Sequence, residues 1–276
     1  MRALITADDL LSVADDVLLL DVQWNLTTAA GPPGRDLYAA EHLPGARFLD
    51  LDRDLAGPPG AGGRHPLPDH ATLEAALRRV GVEAGAPVVV YDQGPSAAAA
   101  RAWWVLRHVG LGDVRVLDGG LAAWRAAGGP TTSEVPDVHP SDLKLPGGGP
   151  KPLDASGAAQ VARDGILLDA RAPERFRGEA EPIDPVAGHI PGAVNVPTTD
   201  TARPDGSFLP PAELRDLFSR KGIDLDAKRV GVYCGSGVTA AQTVLALHEI
   251  GVGAELYVGS WSDWITDPRR PVATGG

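Results

Sequence analysis

The sequence predicts an α/β protein with two tandem domains, each a parallel sheet flanked by helices on both faces. Short apolar runs alternate with longer stretches of helical character, and this alternation occurs twice along the chain. Strands separated by helices of this length form parallel β–α–β units. A segment rich in glycine and proline separates the two halves, as expected of a linker.

The strongest evidence for a duplication is a set of four sequence pairs that keep their order at a spacing of about half the chain. The pairs are Val17–Val22 with Ile166–Ala170, Glu41–Ala46 with Gly188–Ala193, Val88–Asp92 with Val230–Cys234, and Gly119–Trp124 with Gly259–Trp264. We therefore expect a first domain over residues 1–130, a linker over 131–152 and a second domain over 153–276.

Apolar runs predict four strands in each half, and the longer stretches between them predict helices. The predicted strands are Val17–Val22, Ala46–Leu51, Val88–Tyr91, Val114–Leu117, Ile166–Asp169, Val194–Pro197, Arg229–Tyr233 and Ala254–Val258. The predicted helices are Thr72–Val80, Ser96–Val109, Pro211–Lys221 and Thr239–Ile250.

The amino-acid composition argues against several classes of partner and of site. A net charge of −11 argues against nucleic acid or an anionic membrane as a partner. The first residues contain no apolar segment typical of a signal peptide, and no apolar run is long enough to span a bilayer. A single cysteine excludes an intrachain disulfide and a cysteine-rich metal site. We expect a soluble, cytoplasmic protein without a metal or organic cofactor.

That single cysteine, Cys234, is the best candidate for a nucleophile. It follows a predicted strand, and a short loop containing Gly235 and Gly237 leads into a helix that begins near Thr239. Backbone N–H groups and the positive end of a helix dipole favour the reactive thiolate. The alternative is a buried, inert cysteine. In the first half, Asp92 occupies the corresponding position.

Together these residues resemble the tandem-domain rhodanese-like sulfurtransferases, the 3-mercaptopyruvate and thiosulfate sulfurtransferase family. The resemblance rests on the His-x-Pro-Gly-Ala motif in both halves, the Asp-Gly-Gly-x-x-x-Trp element, and a terminal Tyr-x-Gly-Ser-Trp element; these span His42–Ala46, His189–Ala193, Asp118–Trp124 and Tyr257–Trp264. The resemblance implies that the second domain is catalytic and that the first has lost its cysteine.

By this resemblance, Cys234 takes up a sulfur atom as a persulfide, an anion that the backbone N–H groups of the loop stabilise. The loop residues Gly235, Gly237, Val238 and Thr239 are then the predicted binding residues around the sulfur. The resemblance also implies a small-molecule sulfur donor and a thiophilic acceptor such as cyanide, a small thiol or a thiol protein of the thioredoxin kind.

The loop Cys234-Gly-Ser-Gly-Val-Thr239 is similar to that of family members that prefer 3-mercaptopyruvate, whereas members that prefer thiosulfate usually have basic residues there. The resemblance further implies a relay of Ser236, His65 and Asp52, which could polarise the substrate carbonyl or assist proton movement. A loop histidine of no consequence is the alternative for His65.

Arg175 is predicted, by the same resemblance, to bind the anionic group of the donor, because a guanidinium pairs well with a carboxylate or sulfonate. Members that prefer mercaptopyruvate usually have a second arginine about nine residues later. This chain has Ile183 and Asp184 there, a departure that weighs against the mercaptopyruvate preference.

Three other functions remain as alternatives. Thiosulfate:cyanide sulfurtransferase differs only in the donor. A non-catalytic binding or sensor protein on the same scaffold would have no need of the thiol. A phosphatase or arsenate reductase would need an arginine closing the loop, but Ala240 stands there.

Overall fold

The computed structural model describes residues 2–27, 29–225 and 229–276. Met1, with which the predicted first domain begins, lies outside them. The chain divides into two compact units. The first comprises Met1–Gly57, Leu67–Pro150 and Pro204–Phe208, and the second comprises Pro58–Pro66, Lys151–Arg203 and Leu209–Gly276. The domain boundaries at residues 130 and 153 stay a prediction.

The first unit contains a parallel sheet in the order β1-β5-β4-β2-β3. Its strands are β1 (Leu4–Ile5), β2 (Leu18–Asp21), β3 (Arg47–Phe48), β4 (Val88–Tyr91) and β5 (Val114–Leu117). Its helices are α1 (Ala7–Leu11), α2 (Gly34–Ala40), α3 (Leu51–Asp54), α4 (His70–Arg79), α5 (Ala97–His108) and α6 (Gly120–Ala126). The short strand β1, which sequence patterning did not indicate, extends the sheet beside β5.

The second unit contains a parallel sheet in the order β7-β6-β8-β9. Its strands are β6 (Ile166–Asp169), β7 (Val194–Asn195), β8 (Val230–Tyr233) and β9 (Ala254–Leu256). Its helices are α7 (Ala155–Asp164), α8 (Pro173–Arg177), α9 (Pro211–Arg220), α10 (Thr239–Glu249) and α11 (Ser260–Trp264). The predicted fold class, two tandem α/β domains with parallel sheets flanked by helices, is confirmed.

Several predicted elements are shorter in the structure. The strand expected over Ala46–Leu51 covers only Arg47–Phe48, because Asp50 caps a helix that begins at Leu51. The strand expected over Val194–Pro197 ends at Asn195, since a 3₁₀ turn follows from Thr198. The hydrophobic pattern identified the apolar residues correctly, but it did not predict the helical turns that end these strands.

Each unit has its own apolar core, and the duplicated tryptophans Trp124 and Trp264 are buried in the corresponding places. In both units a buried tyrosine at the end of the central strand, Tyr91 or Tyr233, joins this core. Among the described residues, no helix is both long enough and apolar enough to span a bilayer.

Candidate active site around Cys234

Cys234 directly follows strand β8, and its backbone is fixed by helix α11. Its N–H donates to Ser260 Oγ at 3.1 Å, and its carbonyl oxygen accepts from the N–H of Trp261 at 3.0 Å. The Sγ atom accepts from the backbone N–H of Gly237 at 3.1 Å. This hydrogen bond stabilises negative charge on the sulfur, as a thiolate or persulfide requires.

The backbone of this loop requires glycine at position 237, and glycine at position 235 leaves room for an arginine side chain. Gly237 has φ +77°, and a Cβ atom there would lie 2.2 Å from the carbonyl oxygen of Val258, so no other residue fits without a shift of the backbone. At Gly235 a Cβ would lie 2.8 Å from Arg64 Nη2. Val238, in the same loop, is buried, and Thr239 begins α10, as the sequence predicts.

The predicted partners Ser236 and His65 lie together. The distance from His65 Nδ1 to Ser236 Oγ is 2.8 Å, and the ring tautomer sets which of the two atoms donates. The segment that carries His65 belongs to the second unit although it comes from the first half of the sequence. Either tautomer orients the hydroxyl of Ser236 two residues after the nucleophile.

The segment before His65 is packed closely onto the turn that opens α11. The N–H of Arg64 donates to Ser262 Oγ at 3.0 Å, and the N–H of Ser262 donates to the carbonyl oxygen of Gly235 at 2.9 Å. A Cβ at Gly63 would lie 2.6 Å from the carbonyl oxygen of Gly259. Glycine at position 63 therefore lets the segment approach the catalytic loop.

Asp52, the third member of the predicted relay, belongs to the first unit. There its Oδ2 accepts from the indole N–H of Trp24 at 3.0 Å. Asp52 also lines a cavity of about 560 Å³ together with Trp24, Arg35 and Phe48. Its role in a relay stays a prediction.

Arg175 lies on the short helix α8, where Pro173 at the first turn fixes the backbone. Its guanidinium pairs with Glu181, at 2.7 Å and 3.0 Å, and with Asp184 Oδ2 at 3.1 Å. The Arg175 side chain keeps 14% of its surface exposed, whereas each carboxylate side chain keeps 3%. Arg175 is thus held in place by buried acids and still reaches the surface.

Asp184 stands where the family resemblance implied a second arginine. One of its oxygens pairs with Arg64 and the other with Arg175. Burial raises the pKa of Asp184, and the charge of Glu181 adds to this effect, while Arg64 and Arg175 oppose it. The departure from the family pattern therefore replaces a cation with a buried anion that bridges two arginines.

Asp169 at the end of strand β6 forms a second buried ion pair with Arg171. Arg171 Nη2 lies 2.6 Å from Asp169 Oδ2 and 2.7 Å from the carbonyl oxygen of Gly188, and the guanidinium lies 4.7 Å from the ring of Trp261. Burial alone would lower the pKa of Arg171, but Asp169, together with Tyr233 and Glu181, raises it overall. Because the backbone N–H of Trp261 also donates to the carbonyl oxygen of Cys234, the ion pair supports the backbone of Cys234.

Sequence reasoning missed Arg64 and Ser260. Arg64 directly precedes His65, so its place next to a candidate site residue is the sequence feature that indicates it. Ser260 lies in the terminal Gly-Ser-Trp element and has φ +54°, which is unusual for a residue with a side chain. Its hydroxyl donates to the carbonyl oxygen of Tyr257 at 2.8 Å while it accepts from Cys234.

Across the described parts of the chain, no group of three histidine, cysteine, aspartate or glutamate residues could hold a metal ion. The described residues at this site present a thiol, a hydroxyl–imidazole pair and two arginines. These groups suit nucleophilic attack on an anionic donor.

Comparison with known proteins places this site in context. A sequence model of the rhodanese-like domain matches residues 6–127 and again 154–267. A protein of Mycobacterium tuberculosis named "Putative thiosulfate sulfurtransferase SseB" is 49% identical over 286 residues, covering 99% of this chain and 98% of the relative. A "Probable 3-mercaptopyruvate sulfurtransferase" of Pseudomonas aeruginosa is 49% identical over 266 residues, covering 94% and 93%.

Among solved structures, SseA from Escherichia coli, described as a 3-mercaptopyruvate sulfotransferase with the rhodanese fold, superimposes with a TM-score of 0.83. It is 31% identical and covers 95% of this chain and 100% of its own. The predicted enzyme class, a sulfurtransferase, is confirmed by these relatives. Since the family model matches both halves, the chain belongs to the rhodanese-like domain family, with two copies of the domain.

Proposed function

We propose that the protein transfers sulfane sulfur from 3-mercaptopyruvate to a thiophilic acceptor through a persulfide on Cys234. The observation that carries this proposal is the environment of Sγ. The sulfur accepts a backbone hydrogen bond inside a glycine-containing loop, and the Ser236–His65 pair lies next to it. A sulfur nucleophile with an adjacent oriented hydroxyl suits a donor that carries a carbonyl group.

In the first half-reaction, the Cys234 thiolate attacks the donor's sulfur and a new S–S bond forms. The bond between that sulfur and the donor's methylene carbon breaks, and its electron pair remains on the carbon as an enolate. Protonation of this enolate gives pyruvate. In the tautomer that carries the proton on Nδ1, His65 donates to Ser236 Oγ, and Ser236 is then able to donate its own hydrogen bond to the carbonyl oxygen, where negative charge develops.

In the second half-reaction, a nucleophile such as cyanide attacks the outer sulfur of the persulfide. The S–S bond breaks, and its electron pair returns to Cys234 as the thiolate. The two half-reactions share one enzyme form, so ping-pong kinetics are expected. Cyanide, a small thiol or a thiol protein such as a thioredoxin could each serve as the nucleophile.

Thiosulfate is the second candidate donor, because one relative with 49% identity is named for it. Two relatives are equally similar to this chain at 49% identity, and their names state different donors, so identity alone does not choose between them. With thiosulfate, the thiolate attacks the outer sulfur, the S–S bond of the donor breaks, and sulfite leaves with the electron pair.

Steady-state kinetics with each donor, and cyanide as the acceptor, test the proposal. A higher kcat/KM with 3-mercaptopyruvate supports the role of Ser236 and His65, and Ser236→Ala should then remove most of this preference. A higher value with thiosulfate transfers the assignment to the second candidate. Inactivity of the wild-type protein with both donors would contradict sulfur transfer altogether.

Cys234→Ser provides the matched control, because it changes one atom and keeps the backbone that Gly237 and Ser260 hold in place. Turnover should disappear while the fold persists.

The predicted contribution of Asp52 needs its own variant, Asp52→Ala, in which a fall in kcat without a change in donor KM would support the relay.

A further inference from the structure

Two guanidinium groups converge on the residue that follows the nucleophile. A Cβ atom at Gly235 would lie 2.8 Å from Arg64 Nη2 and 3.5 Å and 3.6 Å from the two terminal nitrogens of Arg175. Arg64 comes from a segment far from Arg175 in sequence, yet both belong to the second unit. The neighbourhood of Cys234 therefore contains two positive charges, of which the motif comparison identified only one.

A carboxylate already bridges these two arginines. Asp184 pairs through Oδ1 with Arg64 and through Oδ2 with Arg175, at 3.1 Å in the second case. This is the arrangement that the carboxylate of a donor, or the oxygens of a sulfonate, would adopt on a pair of guanidinium groups. Asp184 thus demonstrates within the chain that the two arginines can hold one anionic group.

Arg64 has further capacity to bind. Its side chain is 26% exposed, and its Nε atom is buried without a hydrogen-bond partner among the residues that the structure describes. A guanidinium presents five donors in a fixed plane. Arg64 can therefore accept a ligand from its exposed side while its backbone remains fixed to Ser262.

We propose that Arg64 binds the donor's anionic group together with Arg175, and that Asp184 is an internal competitor that limits the affinity for the donor. This inference rests on the proposed function, because it names the residues that recognise the donor. Glu181 pairs with Arg175 as well, so the four side chains, two arginines and two acids, carry no net charge when all are ionised. Removal of one acid makes the cluster positive.

Arg64→Ala should raise the KM for the donor about tenfold, as the loss of one charge-assisted contact implies, and change kcat far less. The KM for cyanide, which enters after the donor's product has left, should stay as in the wild type. Arg64→Lys keeps the charge without the planar fork and should restore part of the affinity.

Asp184→Asn should have the opposite effect. It leaves a hydrogen-bond acceptor for Arg64 but removes the negative charge, so the KM for the donor should fall. The fall should be larger for thiosulfate than for mercaptopyruvate, because a dianion gains more from an added positive charge. Opposite effects of the two variants could not arise from a general loss of stability.

Alkylation of Cys234, the chain's single cysteine, gives a measurement that does not depend on sulfur transfer. The ratio of alkylation rates with iodoacetate, an anion, and iodoacetamide, its neutral analogue, reports the local positive charge. We expect this ratio to fall several-fold in Arg64→Ala and to rise in Asp184→Asn.

Arg177→Ala is the matched control, since Arg177 lies on the same helix as Arg175 but pairs with the exposed Glu179 at 2.8 Å. Its kinetics and alkylation ratio should match the wild type. An unchanged ratio and donor KM in Arg64→Ala would overturn the inference, even if the wild-type protein transfers sulfur. Inactivity of the wild type with a ratio that changes as expected would instead contradict the proposed function.

Discussion

The two halves of the chain have corresponding strand-to-helix turns that hold different side chains. In the first unit, the carboxylate of Asp92 accepts from the backbone N–H groups of Gly94, Ser96, Ala98 and Ala99, at distances of 2.8 Å to 3.1 Å. In the second unit, the same position holds Cys234, whose sulfur accepts from a loop N–H. Both turns bind an anionic or electron-rich atom.

The two turns differ in the side chain that accepts these hydrogen bonds. In the first unit the anion is a permanent side chain, so the turn is filled and serves the fold. In the second unit the atom is a thiol sulfur, which in the proposed function gains a further sulfur and loses it again. Burial raises the pKa of Asp92, and the four hydrogen bonds oppose this effect. The ability of the turn to hold charge is thus a property of the backbone, while the chemistry depends on one side chain.

The largest contrast should come from removing each side chain. Asp92→Ala leaves three buried N–H groups and one half-buried N–H group without a partner. It should destabilise the protein by at least about 3 kcal/mol, since each buried group costs about 1–3 kcal/mol. Cys234→Ala loses one hydrogen bond and should cost about 1 kcal/mol. Urea unfolding followed by circular dichroism measures both, and equal losses would contradict the comparison.

A second contrast concerns the buried carboxylates that precede each motif histidine. Arg171 neutralises Asp169, whereas Gln23 donates to Asp21 at 2.9 Å and to the carbonyl oxygen of Glu41 at 2.9 Å. Arg171→Gln should destabilise the second unit by about 3 kcal/mol, because it leaves Asp169 buried without a cation. A melting temperature equal to the wild type would show that an amide suffices here as well.

Gln23→Arg is the reverse of Arg171→Gln and should change how the stability of the protein depends on pH, because it alters the surroundings of Asp21. Burial raises the pKa of Asp21 from 3.8 to about 6, although hydrogen bonds from Gln23 and Tyr91 and the charge of His42 oppose this. The folded state therefore holds the proton more tightly than the unfolded state. The contribution of Asp21 to the free energy of unfolding is therefore greatest below about pH 4. It falls by roughly 3 kcal/mol as the pH rises through about 6.

Gln23→Arg supplies the missing cation and should recover about 1–2 kcal/mol above pH 6, with little change at pH 4. Thermal unfolding of the variant and the wild type between pH 4 and pH 7 tests this. A stability difference that does not vary with pH would indicate that the arginine does not reach Asp21.

The smallest effect on stability is expected at Ser260, whose counterpart in the first unit is Gly120. Both have a positive φ, +54° and +58°. Ser260→Gly relieves backbone strain but loses the hydrogen bonds to Cys234 and Tyr257, so the net change should stay within about 1 kcal/mol. Because Cys234 loses a fixed contact, kcat should fall about threefold or more; an unchanged kcat would show that Trp261 alone positions the loop.

The extent of sequence prediction can be judged from particular elements. Strands Val88–Tyr91, Val114–Leu117 and Ile166–Asp169 were predicted with the bounds that the structure has, because apolar runs between turn residues identify buried parallel strands. Short helices such as α8 and α11 were not predicted, since five residues give too little periodicity.

The sequence by itself determined the duplication and the parallel α/β class, and it singled out Cys234 as the candidate nucleophile, because these depend on residue order and on residue type. The family resemblance implied that His65 pairs with Ser236, but only the tertiary structure decided that Arg64 lies at Gly235. It also decided that Asp184 bridges two arginines. Contacts between segments so distant in sequence follow from packing, and no local pattern in the sequence encodes them.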